Sequence, residues 1–303
     1  MSLADSTGRS DKADISLTDE QQKKPYTVYD LHSHTLYSDG TLSPAELVVR
    51  AKEQGVDYLA LTDHDETSGL LEAQQKADEV KLNLIHGVEV SVSWDYNQTI
   101  HIVGLNIDKE NVDLQKGLAI IREERIRRAK KIADKLEKAG IINVWQDIVE
   151  QNGFEALTRT HFARFLLAHN HVKDIQQAFK KWLGRKGRAY VSGHWVPMKE
   201  AVEWIVNSGG QAVIAHPVRY GMTNRKLEKL VLDFKDAGGV GIEVVGNRYS
   251  ANERAAMASL ARRFDLLASV GSDFHAPGNP YTELGRNLGL AEHTKPIWHD
   301  WKE

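Results

Sequence analysis

The sequence predicts an α/β fold, a β/α barrel interrupted by a mostly helical insertion. Three observations predict it. Strand-like and helix-like runs alternate from Tyr26 to about residue 108 and again after Val191. Between them, residues 109–190 break the alternation with a helical, charged stretch of 18 Lys+Arg against 10 Asp+Glu. Histidines and carboxylates also collect where strand-like runs end, which is where parallel α/β folds keep their chemistry.

The elements follow in order. Residues 1–24 are polar, carry no apolar signal core and are expected to form a disordered tail. TVYDLH (27–32) reads as a strand. LSPAELVVRAKEQG (42–55) reads as a helix, with Ser43 as N-cap, Pro44 in the first turn, Glu46 closing a capping box and Gly55 ending it. VDYLALTDHD (56–65) is a buried strand running into a polar tip. TSGLLEAQQKADEVK (67–81) is a helix and LNLIHGVEVSVSW (82–94) a strand. DYNQ (95–98) is a turn, and TIHIVGLNI (99–107) returns as a second strand. After the insertion, AVEWIVNSGG, QAVIAHP, NRKLEKLVLDFKDAGG, VGIEVV, NERAAMASLARRFD and LLASVGSDFHAP resume the alternation.

Composition narrows the function. The chain of 303 residues has no cysteine, which excludes disulfides, thiolate nucleophiles and cysteine zinc sites. A formal net charge of -3 argues against a generic nucleic-acid binder. The insertion nevertheless carries +8, leaving -11 on the rest. No apolar run approaches the ~20 residues of a membrane span, so the expected location is the cytoplasm. No obligate protein partner is evident.

The polar residues at strand ends form a constellation. His32 and His34 follow VYDL, with Asp39 just beyond. His64 follows YLALTD, Glu89 lies in IHGVEVSV, His216 follows AVIA, and Asp273 and His275 follow LLASVGS. His101 opens its strand instead, and reaches the same end of the barrel if DYNQ reverses the chain. Residues i and i+2 of a strand share a face, so H-x-H can hold one ion. Mixed imidazole and carboxylate donors favour Mn, Fe or Zn. Glu89 is the natural bridge between ions, and ions ~3.5–4 Å apart support in-line displacement at phosphorus.

At these residues the chain resembles the PHP (polymerase and histidinol phosphatase) superfamily, in DLHSHTLYSDG, LALTDHD, GVEVS, HIVG, IAHP and GSDFHA. The resemblance implies a distorted seven-stranded β/α barrel over residues 25–108 and 191–303, holding three divalent ions, with manganese as the expected metal. It implies one ion on His32, His34, Glu89 and Asp273, a second on Asp39, His64 and His275, and a third on Glu89, His101 and His216. Asp39, His64, Glu89 and His275 are the expected catalytic residues.

TRTHFARFL, VSVSW and AHPVRY further resemble a bacterial subgroup that removes the 3'-phosphate of nucleoside 3',5'-bisphosphates such as pAp, some members of which trim 5'-monophosphorylated RNA from its 5' end. Where that subgroup reads AHPGRY, this chain has Val218. The resemblance implies a nucleotide or 5'-phosphorylated RNA substrate, gripped at its 5'-phosphate by the insertion. Arg159, His161 and Arg164 are expected near a helix N-terminus capped by Thr160, with Arg219 and His194 as further substrate contacts. Lys180, Lys181, Arg185, Lys186 and Arg188 form a candidate RNA-tracking patch.

Plainer readings apply elsewhere. Asp30 and Asp65 are expected to orient imidazoles. His86 is expected in the core, and His169, His171, His293 and His299 on the surface. The rival functions are a histidinol-phosphate phosphatase and a metal-stabilised, non-catalytic nucleic-acid-binding module.

Overall fold

The structure, a computed structural model, describes residues 26–96, 98–153, 157–246, 248–291 and 293–301. The expected tail at 1–24 lies outside the described residues. Seven strands make one sheet in chain order: β1 (Tyr29–Asp30), β2 (Tyr58–Leu61), β3 (Asn83–Trp94), β4 (Gln98–Leu105), β5 (Gln211–Ile214), β6 (Gly241–Val245) and β7 (Leu267–Val270). Most neighbours run parallel, but β4 is antiparallel to both β3 and β5. The turn expected at DYNQ is where the chain reverses, with Asp95 and Tyr96 at φ 38° and 54°. Ser91 therefore pairs with His101, and the start of β4 lies beside the end of β3.

The ring closes just beyond the ends of β1 and β7. Leu31 N donates to Val270 O at 3.1 Å, Asp273 N to His32 O at 2.9 Å, and His34 N to Phe274 O at 2.9 Å. The backbone that completes the barrel thus belongs to three of the candidate ligands. β1 and β2 are shorter than their apolar runs suggest, because the chain leaves the sheet where the ligand-bearing tips begin.

Helices cover the barrel. Helix α1 (Pro44–Glu53) has the full capping box between Ser43 and Glu46, and Gly55 follows it at φ 73°. Helices α2 (Leu70–Val80), α7 (Met198–Asn207), α8 (Asn224–Asp236) and α9 (Ala251–Arg263) bury apolar stripes against the strands. Phe234 of α8 is fully buried, and truncating such a ring to alanine costs ~3–5 kcal/mol.

Residues 109–190 supply α3 (Val112–Lys138), α4 (Val144–Asn152), α5 (Arg159–Ala168), the short α6 (Ile175–Ala178) and a π-helical turn (Phe179–Leu183). Helix α3 spans two cores. Leu114, Leu118 and Ile121 pack with the barrel, whereas Ala129, Ile132, Ala133 and Leu136 join a second cluster with Ile148, Phe162, Leu166 and Trp182. That second core lets the segment hold a fixed shape over the barrel mouth. The N-cap of α5 is Thr158, not Thr160 as expected: Thr158 has extended backbone and accepts from Thr160 N, and His161 closes its capping box. The two threonines are two residues apart, and only the one outside the helical φ/ψ region can cap.

Candidate metal centre and substrate cleft

All nine donor residues named from the sequence meet at one end of the barrel. Glu89 is fully buried at their centre. Its Oε1 lies 2.9 Å from His101 Nδ1, 2.9 Å from His216 Nε2 and 3.3 Å from His32 Nε2. Its Oε2 lies 2.7 Å from His64 Nδ1 and 3.4 Å from His34 Nε2. Asp39 Oδ1 is 3.1 Å from His275 Nε2 and 3.7 Å from His64 Nε2. Asp273 Oδ1 is 3.1 Å from His34 Nε2. Among the described residues, three groups could each hold an ion: His34, Asp39, His64 and His275; His32, His34 and Asp273; His64, Glu89 and His101.

The donor chemistry fits divalent cations. Asp39 Oδ1, Glu89 Oε2, His64 Nδ1 and His216 Nδ1 are buried without a hydrogen-bond partner among the described residues. His64 Nδ1 and Glu89 Oε2 are close but misaligned for a hydrogen bond, so proximity leaves both unsatisfied. Buried orphan donors and acceptors cost ~1–3 kcal/mol each, and one cation facing several of them removes that cost. Burial pushes Glu89 up, but the surrounding His64, His101 and His32 outweigh it and hold the carboxyl well below its ordinary range. Asp39 follows the same logic, with burial overcome by His275 and then His64.

Backbone strain helps aim the set. His216 and Asp273 adopt φ of 31° and 50°, unusual for non-glycine residues and costing ~1–3 kcal/mol each. Gly271 provides the room beside His32, since a Cβ there would sit 2.3 Å from His32 Cβ.

A further ring of residues holds the ligands. His32 Nδ1 is 2.6 Å from Glu243 Oε1, and His216 N donates to Glu243 Oε2 at 2.5 Å. Asp63 accepts from Thr35 N at 2.7 Å and from Ser38 Oγ, fixing the loop after His34. Glu243 and Asp63 were missed in the sequence, although an acid inside the apolar strand VGIEVV was a usable signal. Asp30 and Asp65 do not orient imidazoles. Asp30 accepts from Ser272 N and Gly285 N, tying the chain ends of the barrel together. Asp65 accepts from Ser91 N at 2.6 Å and from Arg125 Nε at 2.6 Å, so its partner is a cation.

Asp39, His64 and His101 also line a cleft of about 430 Å³ whose wall carries five arginines, Arg125, Arg128, Arg159, Arg185 and Arg219, among aromatic and hydroxyl side chains. Arg125 and Arg128 are buried, on the inner face of α3. Burial, then Arg159, then Arg125, push the Arg128 guanidinium down to about 9. Burial also lowers Arg159, which makes no hydrogen bond or ion pair among the described residues and lies 5.7 Å over the Phe179 ring. Crowded, desolvated cations of this kind are poised for an anion.

Of the substrate contacts named from the sequence, Arg159 and Arg219 line the cleft. Arg219 also pairs with Asp273 Oδ2. His161, Arg164 and His194 are absent from its lining. His161 is buried in the α5 cap, where burial pushes it down to about 4, and Arg164 donates to Asp39 O at 2.7 Å and Gly40 O at 3.4 Å. His194 is exposed, with its backbone N on Glu124. His169, His171, His293 and His299 are exposed, as expected, whereas His86 is satisfied by Gln74 but only half-buried and not in the core. Arg125 and Arg128 were missed, because REERIRRAKK reads as a solvated helix face.

The sequence matches the PHP domain model over residues 30–207. The chain belongs to the PHP family. It is a metal-dependent phosphoesterase. Among PHP relatives, it is 46% identical to a protein of Haemophilus influenzae named 5'-3' exoribonuclease, over 89% of this chain and 97% of the other. It is 44% identical to a 3',5'-nucleoside bisphosphate phosphatase of Chromobacterium violaceum, over 89% of this chain and 95% of the other. A solved structure described as an amidohydrolase from Chromobacterium violaceum, with sulfate bound and no metal, superposes with a TM-score of 0.85 at 44% identity, covering 90% of this chain and 95% of that one. No helix among the described residues of this PHP chain is long and apolar enough to cross a membrane.

Proposed function

We propose that this phosphoesterase removes the 3'-phosphate of nucleoside 3',5'-bisphosphates, converting pAp to AMP, and works on 5'-monophosphorylated RNA by the same cleavage. One observation carries the reading: the arginine-walled cleft opens directly onto the donor cluster. A substrate with phosphates at both ends fits that layout, one on the arginines and one on the donors. The names of the two relatives from Haemophilus influenzae and Chromobacterium violaceum support the same pair of activities.

Three divalent ions, with manganese foremost, would be held by His32, His34, Glu89 and Asp273, by Asp39, His64 and His275, and by Glu89, His101 and His216. When bound, they supply Lewis-acid neutralisation of phosphate oxygens and an acidified water. The protein does the rest. Arg128 and Arg159 hold the 5'-phosphate and set its distance from the donors. Arg219, braced by Asp273, faces the scissile phosphate. Residues 109–190 act as the substrate-gripping insertion, with His161 and Arg164 positioning the Asp39 loop instead of touching substrate. The compartment is the cytoplasm, where nucleotide and RNA fragments are the available substrates.

A histidinol-phosphate phosphatase has no use for a buried arginine cluster. The test is turnover of pAp, AMP, histidinol phosphate and a 5'-phosphorylated oligoribonucleotide by metal-depleted protein reloaded with Mn²⁺, alongside metal analysis. Preference for pAp by at least tenfold over histidinol phosphate is expected, and comparable rates on the two would overturn the reading.

A further inference from the structure

A second cavity, of about 820 Å³, reaches the donor cluster at Asp273 and His275 and meets the arginine cleft at Thr160, Phe179 and Arg219. Cavities of ~300–1,000 Å³ hold small organic ligands, so each space is large enough for one nucleotide. The second differs in character. Val218 and Pro277 give it apolar walls, Tyr249 and the Phe179 ring it shares with the arginine cleft offer rings, and the exposed Arg248 stands among its lining residues. Tyr249 is 7% exposed and forms part of the cavity wall. Removal of a terminal phosphate makes no use of Val218, Arg248, Tyr249 or Pro277, because a nucleoside bisphosphate ends at the phosphate on the donors.

We propose that the second cavity binds the nucleoside joined through its 5'-oxygen to the scissile phosphate, so that a single-stranded 5'-phosphorylated RNA runs from the arginine cleft across the donor cluster into this space. The proposal rests on the nucleotide reading above and deepens its RNA half by giving the leaving chain a site. Rings that stack on bases and a cation beside them are the chemistry by which proteins track single strands without reading sequence. The bond broken is the same for both substrates. A water oxygen bonds to phosphorus, the bond from phosphorus to the 3'-oxygen of the first nucleotide breaks, and that oxygen leaves as a hydroxyl with a proton from the water. The products are a 5'-mononucleotide and a chain shorter by one residue whose new end is a 5'-phosphate. That end is the group the arginine cleft accepts, so each cleavage prepares the substrate of the next.

The test compares kcat/KM for pAp and for 5'-phosphorylated diadenylate in the manganese-loaded wild type, Arg248→Ala and Thr282→Trp. Arg248 is exposed, so its removal spares the fold, and the indole of the second variant fills the cavity from its outer wall. Both variants should lose tenfold or more on the dinucleotide and stay within about twofold on pAp. Equal losses on the two substrates, or an unaffected dinucleotide in both variants, would overturn the proposal. So would a dinucleotide product that keeps a 3'-phosphate, since the chain would then lie the other way. A wild type that hydrolyses pAp and spares the dinucleotide defeats the second cavity alone, whereas one inert to both defeats the nucleotide reading as well.

Discussion

Thr158 Oγ1 donates a hydrogen bond to Asp39 Oδ2 at 2.9 Å. One residue caps a helix of the basic insertion, and the other belongs to the donor cluster. The contact leaves Asp39 Oδ1 free for a cation while fixing the carboxylate plane. Arg164, one face further along α5, holds the same loop through Asp39 O and Gly40 O. Helix α5 is therefore a strut between the insertion and the donor cluster, and TRTHFAR divides its labour: His161 and Arg164 brace, Arg159 and Thr160 face the cleft, and Thr158 does both.

Thr158→Val should weaken binding of the ion on Asp39 by ~10-fold or more, as loss of a partner behind a metal ligand usually does. Loss of the cap should also cost ~1 kcal/mol of stability. Thr158→Ser should restore both. Calorimetric ion titration and thermal melting measure them separately, and unchanged ion affinity beside a lowered Tm would reduce Thr158 to a helix cap.

Glu89→Gln should cut turnover by several orders of magnitude on every substrate. The carboxylate is the point where five imidazoles converge, and an amide brings no charge and only one acceptor. Near-normal turnover at saturating Mn²⁺ would remove Glu89 from the bridging role.

Gly271→Ala should disturb the centre from behind. The added methyl meets His32 Cβ at 2.3 Å and His32 N at 3.0 Å, and the backbone there closes the barrel. Overpacking of this kind costs ~1–3 kcal/mol, and His32 should move off its partner Glu243. Metal content after dialysis should fall. Full metal retention with wild-type activity would show that the site relaxes more easily than its packing suggests.

How much of this was readable in the sequence depends on how local each signal is. The donor set was legible, because H-x-H and the strand-end acids announce themselves within a few residues. The reversal of β4 was legible too, since DYNQ between two apolar runs has few other uses. Glu243 was not, because a lone acid in a strand acquires meaning only when β6, between β5 and β7, sets it against His32 and His216. Arg125 and Arg128 failed for a related reason. Their helix carries charge on several faces, and nothing local says which face the barrel mouth will bury. The cap at Thr158 hinged on backbone angles that Thr158 and Thr160 could equally have supplied.

The last prediction separates two arginines that the sequence treated alike. The Arg159 side chain lines the cleft without a hydrogen-bonded partner among the described residues, while Arg164 is committed to the carbonyls of Asp39 and Gly40. A contact to phosphate commonly contributes ~1.5–3 kcal/mol, and each 1.4 kcal/mol is tenfold. Arg159→Ala should therefore lower kcat/KM for pAp by roughly 10- to 150-fold. It should leave p-nitrophenyl phosphate, which has no second phosphate, nearly unchanged. Arg164→Ala should behave differently, because it frees the loop that carries Asp39. Both substrates should then suffer to a similar degree, and added Mn²⁺ should recover part of the loss. Both variants need assay on both substrates at matched metal occupancy. A substrate-selective loss in Arg164→Ala would place that guanidinium on the ligand after all. A uniform loss in Arg159→Ala would mean that the 5'-phosphate is held elsewhere, with Arg128 and Arg185 on the same wall as the next candidates.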